Sequence, residues 1–321
     1  MNKFKKLGLC LALLLVSVSC KKNEVKKEAE VQVVEVEKPK PISSEINIKP
    51  MTFGSKLALD NMATSENYDL KVDPDKTYSK IEQGDFDIAV IPAFMGPYFY
   101  QKTNQGIKIA AITQTGNIYM VSDSKINGQM DYRGKNLFIP DPVGNIAKVV
   151  NSKIGPLNLF LRLKIEYYKK MAEIVEKMEN TSNYVGVLSD PYYTKALRKQ
   201  LYVSSVSDLL PLENDDFISE ILIVNSDYLL DHKDTFDEFL DSYKEAITKI
   251  EDEPEISSKL LRDFDMTEDE IKLALERSPY TFIDGDTMKG SYGVFLDRIS
   301  ELDETLVGEI KPSDDFYYIS E

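Results

Sequence analysis

Short apolar runs of strand length alternate along this chain with longer amphipathic runs of helix length, and no other feature narrows its folds as much. Residues 46–51 read as a strand and 55–64 as a helix, then 68–72 as a strand and 75–83 as a helix. Residues 86–92 (FDIAVIP) are a buried strand closed by proline, and 107–113 and 117–122 are strands. A second set opens at 135–139. A helix from about Asn145, a strand at 165–168, a helix at 171–179 and a buried strand at 184–188 (YVGVL) follow. Residues 220–225 (EILIVN) form another strand, and from Lys233 the pattern is mostly helical, with Thr267 and Glu270 spaced as a capping box. Alternation of this kind predicts α/β architecture, with mainly parallel sheets flanked by helices. Two sets joined by strand-like passages near 118–123 and 219–225 predict two lobes with a double crossing. The body from residue 45 onward, about 277 residues, is near the size at which one core splits in two. No solenoid-type repeat is present.

The N-terminus has a different logic. Lys3, Lys5 and Lys6 precede an apolar run at 7–16, too short to cross a hydrocarbon core that needs about 20 apolar residues. Small residues Ser17 and Ser19 then lead to Cys20. The segment resembles a bacterial lipobox, in which the cysteine is acylated and the bond before it is cut, although Ser17 stands where leucine is usual. An ordinary secretory signal with an incidental Cys20 is the plainer alternative. Cys10 lies inside the signal, so removal of residues 1–19 leaves one thiol, at the new N-terminus, which cannot form an internal disulfide. A lipid-anchored Cys20 attached to the bilayer is the expectation. Residues 20–44, rich in Lys, Glu and Pro, read as a flexible tether.

The formal net charge is −15; losing Lys3, Lys5 and Lys6, with no acid among residues 1–19, leaves −18. Such an acidic surface argues against nucleic-acid binding, which requires a basic stripe.

Five blocks, in order, resemble the type II substrate-binding proteins of ABC importers, in the branch that binds nitrate, taurine, sulfonates and thiamine precursors. They are KIEQGDFDIAVIP at 80–92, GIKIAAITQTGNIYMV at 106–121, MDYRGKNLFIPDPVGN at 130–145, YVGVLSDPYYTKAL at 184–197 and EILIVNSDYLLDHKDTFDEFLDSYKEAI at 220–246. Lys233 replaces the usual proline of the last block. The resemblance implies a two-lobe periplasmic-binding-protein-like fold joined by two hinge strands. Lobe I would comprise 45–121 and 224–321, and lobe II 122–223. It further implies an extracytoplasmic, monomeric receptor, in the periplasm or on the outer surface, that passes a small molecule to an ABC permease and its ATPase.

In open α/β sheets ligands bind beyond the carboxyl ends of strands, beside helix N-termini. The loops that meet this description carry the candidate ligand-binding residues: Phe53, Gly54 and Ser55; Pro92, Ala93 and Phe94; Thr113, Gln114 and Thr115; Val143, Gly144 and Asn145; Ser189 and Asp190. Each set has a purely structural alternative as a turn or cap, and Asp190 in particular could cap the helix after it. Tyr98, Phe99, Tyr100, Tyr192 and Tyr193 suit either an aromatic cleft wall or ordinary packing, with packing preferred. Arg133, Arg162, Arg198, Arg262, Arg277 and Arg298 all lie outside these loops, which disfavours a strongly anionic ligand. Asp141 and Asp190 fit a neutral or nitrogen-bearing one, such as a vitamin precursor.

His232 is the only histidine, placed in a loop before a helix, and no Cys/His cluster exists, so no zinc-type site or cofactor is expected. One histidine cannot build a Ser/His/Asp or Cys/His arrangement. Enzymes on this fold, of thiamine-pyrimidine or menaquinone-pathway type, are therefore the weaker alternative. A receptor that serves a sensor or another surface protein is the stronger one.

Overall fold

The computed structural model describes residues 45–62, 69–72, 77–140, 145–198, 201–205, 217–277, 280–302, 304–308 and 312–320. The signal segment, Cys20 and the tether lie outside the described residues, as do Asp141, Val143 and Gly144.

The chain first runs through β1 (Glu45–Pro50), α1 (Phe53–Met62), β2 (Asp69–Val72), α2 (Thr77–Glu82), β3 (Ile88–Pro92), α3 (Gly96–Lys102) and β4 (Ile107–Thr115). It then builds β5 (Tyr119–Ser122), β6 (Asn136–Pro140), α4 (Asn145–Ile154), α5 (Asn158–Leu161), β7 (Lys164–Tyr168), α6 (Met171–Glu179), β8 (Tyr184–Leu188), α7 (Tyr192–Ala196) and β9 (Tyr202–Ser205). It returns through β10 (Ile218–Asn225), α8 (Ser226–Asp252), α9 (Ser258–Phe264), α10 (Glu268–Arg277), β11 (Tyr280–Ile283) and α11 (Gly285–Leu302).

Two sheets result, ordered β11-β4-β10-β3-β1-β2 and β7-β6-β8-β5-β9. β1 pairs in parallel with β2 and β3, and β6 in parallel with β7 and β8. The reversed strands mark the crossings. β4 leaves the first sheet at one edge of the cleft, and β10 returns at that same edge, so it runs antiparallel to β3 and β4. β5, the first strand of the second lobe, is likewise antiparallel to β8. Pairing assigns all of β5 to the second sheet and all of β10 to the first. The first crossing therefore runs through residues 116–118. The apolar passages 119–122 and 218–225 are paired strands of the two sheets.

The central strands are buried on both faces, as their continuous apolar runs require. Ile88 and Val90 of β3 pack with Leu57 of α1 and Phe236, Phe239 and Tyr243 of α8. Ala89 and Ile91, one residue out of phase, pack with Tyr292 and Phe295 of α11. In the second lobe Val185 and Val187 face one cluster, and Tyr184 and Leu188 face α6 and α7. Burying each such side chain is worth about 1.5–3 kcal/mol.

Three elements depart from expectation. Residues 96–102, given no element by the sequence pattern, form α3, with Pro97 in the first turn where its missing N–H costs nothing. β9 and β11, each four residues long, lie outside the strands expected from the sequence. α8 is broken at His232, whose backbone is non-helical (φ −132°, ψ 30°), so the histidine stands where the longer helical run is entered, as expected; its ring stacks on Tyr228 at 4.7 Å. The capping box of α10 is present: Glu270 Oε2 accepts from the Thr267 N–H at 2.9 Å, and Thr267 Oγ1 from the Glu270 N–H at 3.3 Å.

Candidate functional site

A cavity of about 320 Å³ lies where the two lobes meet. The first lobe contributes Met51 to Gly54 and Lys56, Pro92, Phe94, Gln114, Ser219, Glu220 and Phe264. The second contributes Ile146, Met171 and Ser189 to Tyr192, with Asn117 and Ile118 at the crossing. Two other depressions are larger, about 710 Å³ beside the α8 C-terminus and about 420 Å³ against α11, but each draws its walls from one lobe.

The rim at α1 is held by reciprocal bonds. Thr52 Oγ1 accepts from the Ser55 N–H at 3.1 Å, and Ser55 Oγ accepts from the Thr52 N–H at 3.2 Å. The two hydroxyls meet at 2.7 Å, and Ser55 Oγ donates to the Thr52 carbonyl at 2.9 Å. Ser55 is thus spent inside the turn and fully buried, while Phe53 and Gly54 reach the wall. Beyond β3, Tyr292 donates to the Ala93 carbonyl at 2.7 Å. Ala93 is buried behind Pro92 and Phe94, which line the cavity.

β4 carries a bulge opposite β10. Glu220 pairs with Gln114 and Ile221 with Ile112, so Thr113 is the extra residue. Gln114 faces the cavity, and Thr113, fully buried, donates its hydroxyl to Glu220 Oε1 at 2.6 Å. Thr115 faces away and lines the depression against α11. Gly116 and Asn117 follow, with φ of 68° and 62°, the left-handed region that glycine and asparagine tolerate best. The Gly116 N–H donates to the Phe217 carbonyl at 2.7 Å and ties the two crossing segments together.

From the second lobe, Asp190 Oδ1 accepts from the Thr194 N–H at 3.0 Å and its hydroxyl at 2.6 Å, from one position before the N-cap, Pro191. Its own N–H donates to Asn117 Oδ1 at 2.8 Å, and Asn117 Nδ2 donates to Gln114 Oε1 at 2.9 Å. A polar chain therefore runs from one lobe to the other across the cavity wall. Asn145 opens α4.

Of the five aromatic candidates Phe99, Tyr100 and Tyr193 are packed, the preferred expectation, and Tyr192 alone lines the cavity. Phe99 and Tyr100 are core residues, and Tyr98 is exposed and donates to Glu82. Tyr193 stacks on Tyr119 at 4.2 Å outside the cavity lining. The rings that line it are Phe53, Phe94, Tyr192 and Phe264. Phe264 meets Phe53 edge to face at 4.9 Å, and Lys56 Nζ lies 5.1 Å from its centroid.

Glu220 was not singled out in the sequence. It is 1% exposed, and its Oε2 is buried without a hydrogen-bond partner. Burial pushes its carboxyl up to about 7, against the pull of the Thr113 and Thr52 hydroxyls. No arginine is among the described lining residues. Among the described residues no group of three or more His, Cys, Asp or Glu is placed to hold a metal ion, and no helix is long and apolar enough to cross a membrane.

No protein-family model and no curated protein matches the chain. Solved structures do. An ABC transporter protein from Parabacteroides distasonis is 18% identical and superposes with a TM-score of 0.67 over 86% of this chain and 99% of its own. The periplasmic aliphatic sulphonate-binding protein SsuA of Escherichia coli is 13% identical, with a TM-score of 0.61 over 85% and 96%. The ligand-binding component of an ABC-type import system from Staphylococcus aureus, with zinc bound, is 16% identical, with a TM-score of 0.58 over 86% and 97%. At these identities the likeness is one of architecture, and the chain has the two-lobe fold of the ABC-type periplasmic, type II substrate-binding proteins.

Proposed function

We propose that the protein is an extracytoplasmic solute-binding lipoprotein, anchored through Cys20, that takes a small molecule between its lobes and delivers it to an ABC permease without chemical change. The observation that carries this reading is the cavity at the double crossing, walled from both lobes, where hinge closure would enclose a solute. The solved relatives named for binding and import support it. Phe53, Gly54, Pro92, Phe94, Gln114, Ser189 and Asp190 are the sequence-derived residues proposed to touch the ligand. Four aromatic rings and the lack of arginine among the described lining residues favour a neutral or nitrogen-containing molecule such as a vitamin precursor over a strong anion.

The test is native mass spectrometry of the full-length chain purified gently from its host. An adduct lost on denaturation, and one that raises the melting temperature when added back, is expected. An apo mass, with no stabilisation by vitamins, sulfonates, amino acids or nucleobases, would overturn the receptor reading.

A further inference from the structure

Glu220 stands out once the cavity is drawn. A carboxyl taken out of water ordinarily finds partners for both oxygens, because an unmatched buried acceptor is costly. Here Oε1 has the Thr113 hydroxyl at 2.6 Å, and Oε2 has none. Thr52 lies close by, but its hydroxyl is aligned on Ser55 Oγ at 2.7 Å. The bulge in β4 supplies Thr113 and so fixes the carboxyl's orientation, and Glu220 belongs to the cavity lining.

We propose that Glu220 is the anchor of the binding site, its Oε2 accepting an N–H from a cationic nitrogen of the ligand. The class is an ammonium, an amidinium or a protonated aminoheterocycle, seated among Phe53, Phe94, Tyr192 and Phe264. The inference rests on the receptor reading and narrows its ligand. A cation beside Oε2 supplies both the missing donor and the charge that a buried carboxylate lacks. Where Glu220 is protonated in the empty cleft, its O–H bond breaks as the cation docks and the proton leaves to solvent. Binding then releases protons and tightens as pH rises through neutrality. The ionisable groups around it are Lys56 on α1, Tyr243 on α8, Tyr280 on β11 and Asp190 at the start of α7. Burial and the Glu220 charge raise both tyrosines well above their ordinary range, so they stay neutral at these pH values.

The experiment is calorimetric titration of the full-length chain with benzamidinium, a planar amidinium cation, beside neutral benzamide and anionic benzenesulfonate. Benzamidinium should bind best, more tightly at pH 8 than at pH 6. Glu220→Gln should weaken it by roughly tenfold or more, the scale of one charge-assisted hydrogen bond, and should narrow or abolish its advantage over benzamide. In case the variant folds poorly, carbon-13 NMR of the wild-type carboxyls is read in parallel: the Glu220 titration midpoint should move to lower pH when benzamidinium is present. Equal benzamidinium binding by wild type and variant, preference for benzenesulfonate, or an unmoved midpoint would overturn the assignment, as would no binding of any of the three. A host-derived adduct that survives in native spectra while benzamidinium fails would sink the Glu220 anchor and spare the receptor reading.

Discussion

Lys195 on α7 of the second lobe reaches Asp265 at the end of α9 in the first, with Nζ 2.7 Å from Oδ2, and its ammonium also donates to the Phe264 carbonyl at 3.3 Å. Phe264 is a wall of the cavity, so this contact fastens the lobes beside the cavity itself. One turn away Arg198 donates to Glu270, whose carboxyl is held down to about 2, chiefly by that bond. The two pairs form a clasp across the lobes.

The clasp predicts salt-sensitive closure. Lys195→Met should open the lobes and weaken ligand retention modestly, because Asp265 is 91% exposed and screened by solvent. Small-angle scattering at low and high salt checks this: wild type should expand as salt rises, and the variant should already be expanded. The pH sign follows from Glu270. Its folded value lies below the unfolded one, so its contribution is present above about 4.5 and lost as pH falls toward 2. Scattering that shows no expansion between pH 5 and pH 2.5 would count against the clasp.

Glu220 predicts an unusual pH profile for the empty protein. Its folded value, about 7, lies above the unfolded 4.5, so its contribution is fully present below pH 4.5 and lost as pH rises through 7. The corresponding penalty above pH 7 is about 3 kcal/mol at most. Glu220→Gln should therefore melt at a higher temperature than wild type at pH 8, and the gap should close by pH 5. Parallel melting curves across that range would expose a group that stays ionised throughout.

The sequence was legible where loops follow strong strands. Gly54, Pro92, Gln114 and Asp190 reach the cavity because the carboxyl ends of β1, β3, β4 and β8 converge there, and strand ends can be read from hydrophobic runs. Glu220 was hidden for two physical reasons. It opens the apolar run EILIVN, where an acid looks like an exposed strand end, and its inward aim depends on a bulge in the partner strand that leaves no sequence mark. Phe264 was hidden because it ends a helix 211 positions from the ring it meets, Phe53, and only the packing of α9 on α1 joins them. Thr113 and Thr115 flank Gln114 in the same polar run, yet the bulge sends one behind the cavity and the other to a different face.

Asn117 predicts a separation of backbone from side-chain roles at the crossing. Its φ of 62° is tolerated by asparagine and glycine but strained for alanine, and its side chain bridges the Asp190 N–H and Gln114. Asn117→Gly should keep the backbone and lose the bridge, destabilising by about 1 kcal/mol. Asn117→Ala should lose both, at about 1–2 kcal/mol more. Urea unfolding of the two variants decides it: equal losses would mean that the crossing does not hold this conformation on its own.

Gly54 gives the sharpest sign. At the first turn of α1 a Cβ would lie 2.1 Å from Tyr280 Cε1 and 2.7 Å from its Cζ. The Tyr280 ring is 4% exposed and packed among Phe53, Phe239 and Tyr243, so it has little space in which to yield. Helix propensity alone would make Gly54→Ala stabilising by about 1 kcal/mol. Overpacking costs about 1–3 kcal/mol and should win, because the contact is with a buried ring and not a flexible chain end. The expected result is a lower melting temperature for Gly54→Ala and a cavity narrowed at its α1 rim, seen as lost retention of the native adduct. Gly54→Ala combined with Tyr280→Leu should regain most of the stability, since the obstructing ring is gone. Failure of that rescue would show that glycine is required here for something other than the close approach of Tyr280.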